Sequence, residues 1–531
     1  MDVVTATQSD VTHITFEAFD PLTDIFRSIG IRIFGRINDP LTGEFLRESK
    51  ASEDLEPEYI AVSPDGKKAF ATMQENNAIA VIDLETNTLV DLAPLGFKDH
   101  SIEGNGFDAS DKDGGINIKP WPVMGMYMPD AIASFETLGE TYVVSANEGD
   151  SRDYDGFSEE VRVDDLVLDP EAYPDAETLQ AKKNLGRLKT TTTMGDYDDD
   201  GDVDQIFSYG ARSFSIWDDE GNLVWDSGDA FERHLAEVLP DNFNSTNDEN
   251  DSFDKRSDDK GAEPEAITIG EVDGRILAFI GLERVGGIFI YDVTYPYAPK
   301  YVSYLNNRDF TVIYESGTPN DGELQAIGDL GPEGIVFVPG DKSPSGEPSL
   351  MVANEVSGNT TIFTVRIPPM TDYKLQVLHS SDNESAFQNP NTLEPTILNY
   401  GTVLHGLKAV AAKEGIPSIY LTAGDHTLPG PFYEASKEVP ELGARGLADI
   451  ALFNAMGLTA NGIGNHEFDG GINDFARMLS TANYPFIAVN LDFSQVEVDS
   501  GTPAIRRGVD GGSIQENAGK VVRSAYVEVG G

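Results

Sequence analysis

A chain of 531 residues, 40% of them hydrophobic, is too long for one ordinary domain and apolar enough to bury more than one core. Its formal charge of -54, from 91 acidic against 37 basic residues, repels nucleic-acid polymers and anionic membranes and leaves many carboxylates open to cations. The absence of cysteine excludes disulfides and thiolate metal sites, and the lack of any run of about 18 apolar residues excludes a helical membrane span.

The opening "MDVVTATQSDVTHITF" lacks the basic region and apolar core of a signal peptide, so either the protein is intracellular or a signal lies upstream. "PLTDIFRSIGIRIFG" predicts a helix running from Pro21 to Gly35. The stretch 57–90 then sets the pattern for much of the chain: strands at Tyr59 to Val62, Lys68 to Met73 and Ala78 to Asp83, with the turn "SPDGK" between the first two. Strand pairs return at "TYVVSANEGD", "EAITIGEVDGRILAFIGLERVGGIFIYDV" and "EGIVFVPGDKSPSGEPSLMVANEVSGNTTIFTV". Small antiparallel sheets recurring in this way predict propeller blades of roughly 40 to 50 residues. Residues 51–367 hold about six or seven at that period, fewer once the inserts 151–200 and 240–262 are set aside, so a closed ring is short of material. Trp121, Trp217 and Trp225 are expected in the core of this region.

Within it, "DYDDDGDVD" places Asp196, Asp198, Asp200, Asp202 and Asp204 at alternate positions, with Gly201 where a calcium loop turns sharply. Phe207 replaces the bidentate glutamate of a full EF-hand, so a structural calcium ion and a plain acidic turn both stay open. "GDSRDYDG" and "DASDKDGG" carry the same signal more weakly.

"IPPMTDY" ends strand pairing with two prolines, and residues 368–373 are expected as a linker between a region 1–367 and a region 374–531. Beyond it strand and helix alternate: strand Lys374 to His379, helix Val403 to Lys413, strand Ser418 to Thr422, helix Arg445 to Met456, strand Thr459 to Ile463, helix Asp474 to Leu479, strand Pro485 to Asn490. The fold class expected is mainly β followed by α/β, and in the α/β part ligands gather beyond the carboxyl ends of the strands.

Three polar clusters fall at such ends: "HSSDNES", "AGDHTLPGPFY" and "GNHEFDGG". A pair of hard divalent cations needs carboxylate oxygens, one of them shared, plus amide oxygen or imidazole nitrogen, delivered from separate strand ends to one point. Asp382, Glu384, Asp425, Asn465 and His466 meet that demand by type and position. His13, His100, His234 and His405 stand apart and read as structural. His379 is expected to pack beside the first strand, and His426 is a weak substrate contact.

"LQVLHSSDNES", "GDHTLPGPFY" and "GNHEFDGG" resemble the successive motifs of the metallophosphatase domain of the 5'-nucleotidase family, an α/β sandwich, over residues 373–531. The resemblance implies that Asp382 binds one metal, Asp425 bridges two and Asn465 binds the second. His466, oriented by Asp469, would stabilise the transition state and protonate the leaving oxygen. A hydroxide bridging the cations would attack phosphorus. Two departures stand out. Glu384 replaces the family's usual histidine, which favours manganese or calcium over zinc there. No histidine follows His466, so the later metal histidines of the family, including a Gly-His-x-His segment, are missing, and the chain as given is expected to be an incomplete form of the domain.

"EPEYIAVSPDGKKAFATMQENNAIAVIDL", "PLGFKDHS", "GMYMPDAIASFETLGETYVVSANEGDSRDYDGFSEEVRV" and "GAEPEAITIG" resemble the propeller domain of the choice-of-anchor I family over roughly residues 15–367, with further blades expected ahead of it. Together the two resemblances imply an exported or cell-surface phosphoesterase acting on phosphomonoesters, nucleotides first, with two divalent ions (manganese, zinc or calcium). The rival expectation is a non-enzymatic, calcium-binding surface or matrix protein with a degenerate phosphatase-like domain.

Overall fold

The computed structural model describes residues 11–39, 42–312, 326–367, 374–388, 394–440 and 442–529; the expected linker 368–373 lies outside the described residues. The chain is mainly β-sheet with some helices and divides into two compact units, Met1–Pro368 and Pro369–Gly531.

In the first unit the predicted hairpins form successive antiparallel sheets. Sheet I contains β1 (Ile60–Val62), β2 (Lys68–Met73), β3 (Ala78–Asp83) and β4 (Thr88–Pro94) in sequential order. Sheet II contains β5 (Ile132–Thr137), β6 (Glu140–Asn147), β7 (Ser213–Asp218) and β8 (Leu223–Asp226), with β5 at its edge. Sheet III contains β9 (Pro264–Val272), β10 (Arg275–Leu282), β11 (Ile288–Asp292) and β12 (Lys300–Leu305). Sheet IV contains β13 (Pro332–Val338), β14 (Ser349–Asn354) and β15 (Asn359–Thr364).

Successive sheets pack face against face. Phe70, Ile79 and Val81 of sheet I share an apolar layer with Ile132, Val143 and Trp217 of sheet II. Val144, Phe214 and Ile216 of sheet II meet Ile267, Ile280 and Phe289 of sheet III. Leu277 and Phe279 of sheet III meet Ile335, Leu350 and Val352 of sheet IV. Gly270 lets sheets III and IV approach, since a Cβ there would sit 2.4 Å from the Phe337 ring. No closed barrel forms among the described residues. Trp121 and Trp217 are buried and Trp225 half-buried, each within an apolar cluster.

The helix expected from Pro21 to Gly35 is much shorter. A 3-10 segment, Glu17–Leu22, contains Pro21, and an α-helix spans only Thr23–Ser28. Gly30, at φ +94, turns the chain out of helical geometry, and Ile31 and Ile33 then bury in extended form. The break comes at Gly30, the first glycine, and not at Gly35.

In the second unit, β16 (Gln376–Ser380), β17 (Ser418–Thr422), β18 (Ala460–Gly462), β19 (Phe486–Ile487) and β20 (Val521–Val522) form one parallel sheet in that order. Helices α1 (Thr396–Lys413), α2 (Leu447–Met456) and α3 (Ile472–Thr481) alternate with the strands. The expected strand Pro485 to Asn490 shortens to two residues. The core joins Tyr420, Ile450, Phe453, Phe475, Leu479 and Phe486. Ser380 pairs with Thr422, and Thr422 with Asn461, so three strands end level, and their loops leave from one edge of the sheet.

Candidate metal centre at three strand ends

The three loops are laced together by backbone and side-chain hydrogen bonds. Between the first and second, Asp382 N donates to Gly424 O (3.3 Å), Glu384 N to Asp425 O (3.0 Å) and Ser385 N to His426 O (2.8 Å). Between the second and third, His466 N donates to Asp425 Oδ1 (2.8 Å). The close approach depends on glycine: a Cβ at Gly464 would stand 2.2 Å from Asp425 Oδ1, and one at Gly424 would stand 2.3 Å from Gly464 N.

The junction is held by Glu467, a residue that sequence reasoning passed over. Its side chain is 2% exposed, and its carboxylate accepts N–H groups from Asp425 (3.0 Å), His426 (2.8 Å) and Gly464 (2.7 Å). Burial raises its carboxyl's affinity for a proton, and the three N–H donors oppose that. In the sequence it stands inside "GNHEFD", between His466 and Asp469, but that place does not tell its capping role from a solvent-facing one.

Asp382, Glu384 and Asn465 are exposed and Asp425 is half-buried. Asp382, Glu384, Ser385 and Asp425 all have positive φ, between 48 and 54 degrees, a left-handed conformation that costs non-glycine residues about 1–3 kcal/mol each. As a donor set, three carboxylates and one amide suit a hard divalent cation. Among the described residues, however, the groups of three acids with oxygens within 4.8 Å of one another lie in the first unit, and Asp382, Glu384 and Asp425 are not one of them.

His466 opens a short 3-10 turn, His466–Phe468, which brings its ring to Asp469 three residues on: Nδ1 and Asp469 Oδ2 are 2.7 Å apart. That hydrogen bond raises the imidazole's pKa, and the charges of Asp469, Asp425 and Glu384 add to the effect. Nδ1 is thus the nitrogen engaged by Asp469.

His426, the weak substrate contact of the sequence reading, is buried. It is 1% exposed and stacks on Phe453 at 4.1 Å between ring centroids, because the loop turns it under the sheet edge. Its Nε2 lies 2.8 Å from Thr422 Oγ1, which in turn donates to Asn461 Oδ1 (2.7 Å), so Nε2 carries the hydrogen. Burial pushes its pKa down to about 4. Nor does His379 pack beside β16: it lies in the strand and is exposed. His100 is buried; His13 and His405 are solvent-facing.

In the first unit, Asp196, Asp198 and Asp204 bring one oxygen each within 4.8 Å, and so do Asp169, Asp202 and Asp204. Asp200 N and Gly201 N fold back onto the Asp196 carboxylate, at 3.2 and 3.0 Å, and Asp202 N bonds to Asp200 Oδ1. "GDSRDYDG" forms instead a small hairpin, Asp153–Tyr154 with Phe157–Ser158. In "DASDKDGG", Asp111 pairs with Arg187 at 2.8 Å and Asp108 accepts Asn117 N at 2.6 Å, so those acids already have partners.

A family model of the Choice-of-anchor I domain matches residues 1–296. Gigasin-3a of Magallana gigas is 32% identical over 194 residues, 36% of this chain and 67% of that protein. The mesenchyme-specific cell surface glycoprotein of Strongylocentrotus purpuratus is 27% identical over 321 residues, 53% of this chain and 40% of that one. The C-terminal region is similar at low identity to 5'-nucleotidases. The Vibrio vulnificus protein of that name is 29% identical over 121 residues, 23% of this chain and 20% of its own length. The chain thus spans less than half of the last two relatives. With a match across more than half its length, the chain belongs to the choice-of-anchor I family.

Proposed function

We propose that residues 374–531 form a phosphomonoester hydrolase module of the 5'-nucleotidase type. It is joined through the linker 368–373 to a β-propeller spanning residues 1–367, in a protein that works outside the cell or on its surface. The observation that carries this reading is the lacing of three strand-end loops around Asp425, with a histidine–aspartate pair beside it. Asp425 belongs to the loop bonded to both others, a position that supports its reading as the shared ligand. Asp382 and Glu384 would hold one cation with it, and Asn465 would contribute to a second. When bound, such ions offset charge on phosphoryl oxygens and activate water. His466, charged through its contact with Asp469, then gives its Nε2 proton to the departing alcohol. Nucleotides are the first substrate class to test, because the similar Vibrio vulnificus protein carries the name 5'-nucleotidase.

The test is hydrolysis of p-nitrophenyl phosphate and of AMP by the protein, supplied with manganese, zinc or calcium. His466→Ala is expected to slow turnover about 10²–10⁴-fold. Normal rates in that variant would sink the assignment.

A second reading is favoured by two observations: the similarity to a cell surface glycoprotein, and the spread of Asp382, Glu384 and Asp425. Under it the protein is a calcium-binding surface or matrix component without catalysis. Calcium binding with no turnover of either phosphate ester under any of the three ions would establish it.

A further inference from the structure

Four short segments of the first unit share one pattern, proline, acid, any residue, isoleucine: Pro57-Glu58-Tyr59-Ile60, Pro129-Asp130-Ala131-Ile132, Pro264-Glu265-Ala266-Ile267 and Pro332-Glu333-Gly334-Ile335. Each opens the edge strand of its sheet, β1, β5, β9 and β13. The strand that follows in each sheet is itself followed by a glutamate within two residues of its end: Glu75, Glu148, Glu283 and Glu355. In an antiparallel pair the start of one strand lies beside the end of the next, as Pro264 opposite Leu282 and Pro332 opposite Asn354 demonstrate. The repeat therefore delivers two acids to the same end of each of sheets I to IV.

Sheets II and III bring these acids together. One carboxylate oxygen from each of Glu148, Glu265 and Glu283 lies within 4.8 Å of the others, and all three residues are buried. Glu265 is 9% exposed, and its Oε2 is buried with no hydrogen-bond partner. A buried carboxylate oxygen without a donor is costly, and it is the feature that calls for a ligand. The nearby positive groups do not meet the need. Lys260 Nζ bonds to Glu148 Oε1 and Gly149 O, both at 2.5 Å, and Arg284 reaches Glu283 Oε1 at 2.9 Å while also serving Glu263. Burial, reinforced by the neighbouring carboxylates, pushes Glu265 up to about 11 and Glu283 and Asp130 up to about 7.

We infer that Glu148, Glu265 and Glu283 form a binding site for one hard divalent cation, calcium or manganese, which ties sheet II to sheet III. Oxygen ligands at about 2.3–2.6 Å from a calcium ion stand up to about 5 Å apart across it, the spacing these three acids present. The site is separate from the Asp196–Asp204 loop and from the strand-end centre of the second unit.

The experiment is calorimetric titration of the chelator-stripped protein with calcium chloride and with manganese chloride, alongside thermal unfolding with and without each ion. In Glu265→Gln, which keeps the shape and removes the charge, affinity at one site is expected to fall at least tenfold, and the ion-induced rise in unfolding temperature to shrink. Without ions the variant should unfold close to wild type, because glutamine resembles the neutral carboxyl that burial and the neighbouring carboxylates favour at Glu265. Asp204→Asn should leave this site intact. Glu283→Gln, expected to weaken binding in the same way, serves if the first variant does not fold. Identical isotherms and identical thermal shifts for wild type and the glutamine variants, with both ions, overturn the inference.

Discussion

Glu467→Ala would remove the acceptor of three N–H groups, those of Asp425, His426 and Gly464, at a point where the carboxylate is 2% exposed. Each buried donor left unpaired costs about 1–3 kcal/mol, a ceiling of about 3–9 kcal/mol for the three. Water entering the vacated space restores part of this, so the expected loss is about 3–4 kcal/mol. Glu467→Gln should cost less, about 1–3 kcal/mol: its oxygen can serve Asp425 and Gly464 together, and its NH2 faces only the His426 N–H. Hydrogen-exchange mass spectrometry on peptides covering 424–427 and 463–467 measures the effect directly. Protection should fall about a hundredfold or more in the alanine variant and less in the glutamine variant. All three tryptophans, at 121, 217 and 225, belong to the first unit, so their fluorescence-detected unfolding is the internal control. Protection within about twofold of wild type at these amides would refute the idea that Glu467 holds the loops.

Gly464→Ala should cost about 1–3 kcal/mol in the second unit, read by the same exchange measurement, since its Cβ would stand 2.2 Å from Asp425 Oδ1. In Asp469→Asn, the His466 imidazole should titrate at lower pH by NMR, because the hydrogen bond to Asp469 is the largest cause of its raised pKa; an unmoved titration contradicts the pairing. His100 is held down to about 3, by burial first and then by the Lys98 charge. The unfolded ring protonates near pH 6.5 and so binds more protons than the folded one below that value. Stability should therefore decline as pH falls from about 6.5 towards 3, and His100→Gln should flatten the decline in urea midpoints followed by tryptophan fluorescence.

What the sequence made legible follows from periodicity. Lys68–Met73, Ala78–Asp83 and Ser418–Thr422 were readable to the residue because each is an apolar run closed by turn chemistry. The strand-end clusters were readable because in a parallel sheet loops after successive strands leave from one edge. Glu467 was not, because nothing in a sequence separates a carboxylate that faces solvent from one that caps three amides. The burial of His426 was hidden for the same reason: adjacency to Asp425 says nothing of the inward turn that stacks it on Phe453. The four proline–acid segments escaped notice because the inserts between them make their spacing unequal. Only the strand pairing reveals them as equivalent positions.

The two acidic centres differ in how their charge is managed, and the difference bears on what each can do. In the second unit Asp382, Glu384 and Asp425 have solvent access, and the strain of their left-handed backbones is supported by the hydrogen bonds between loops and by Glu467 beneath. Such over-determined strain holds the loop backbones in place before any ligand arrives, and under the proposed function that solvent access would let substrate and product exchange. In the first unit Glu148, Glu265 and Glu283 are buried between sheets, with a carboxylate oxygen that has no donor. A ligand there has little room to come and go, and its binding energy adds to the stability of the fold. If both proposals hold, the exposed site serves turnover and the buried one holds sheets together, so stripping metal from the protein should affect activity and unfolding temperature at different ion concentrations.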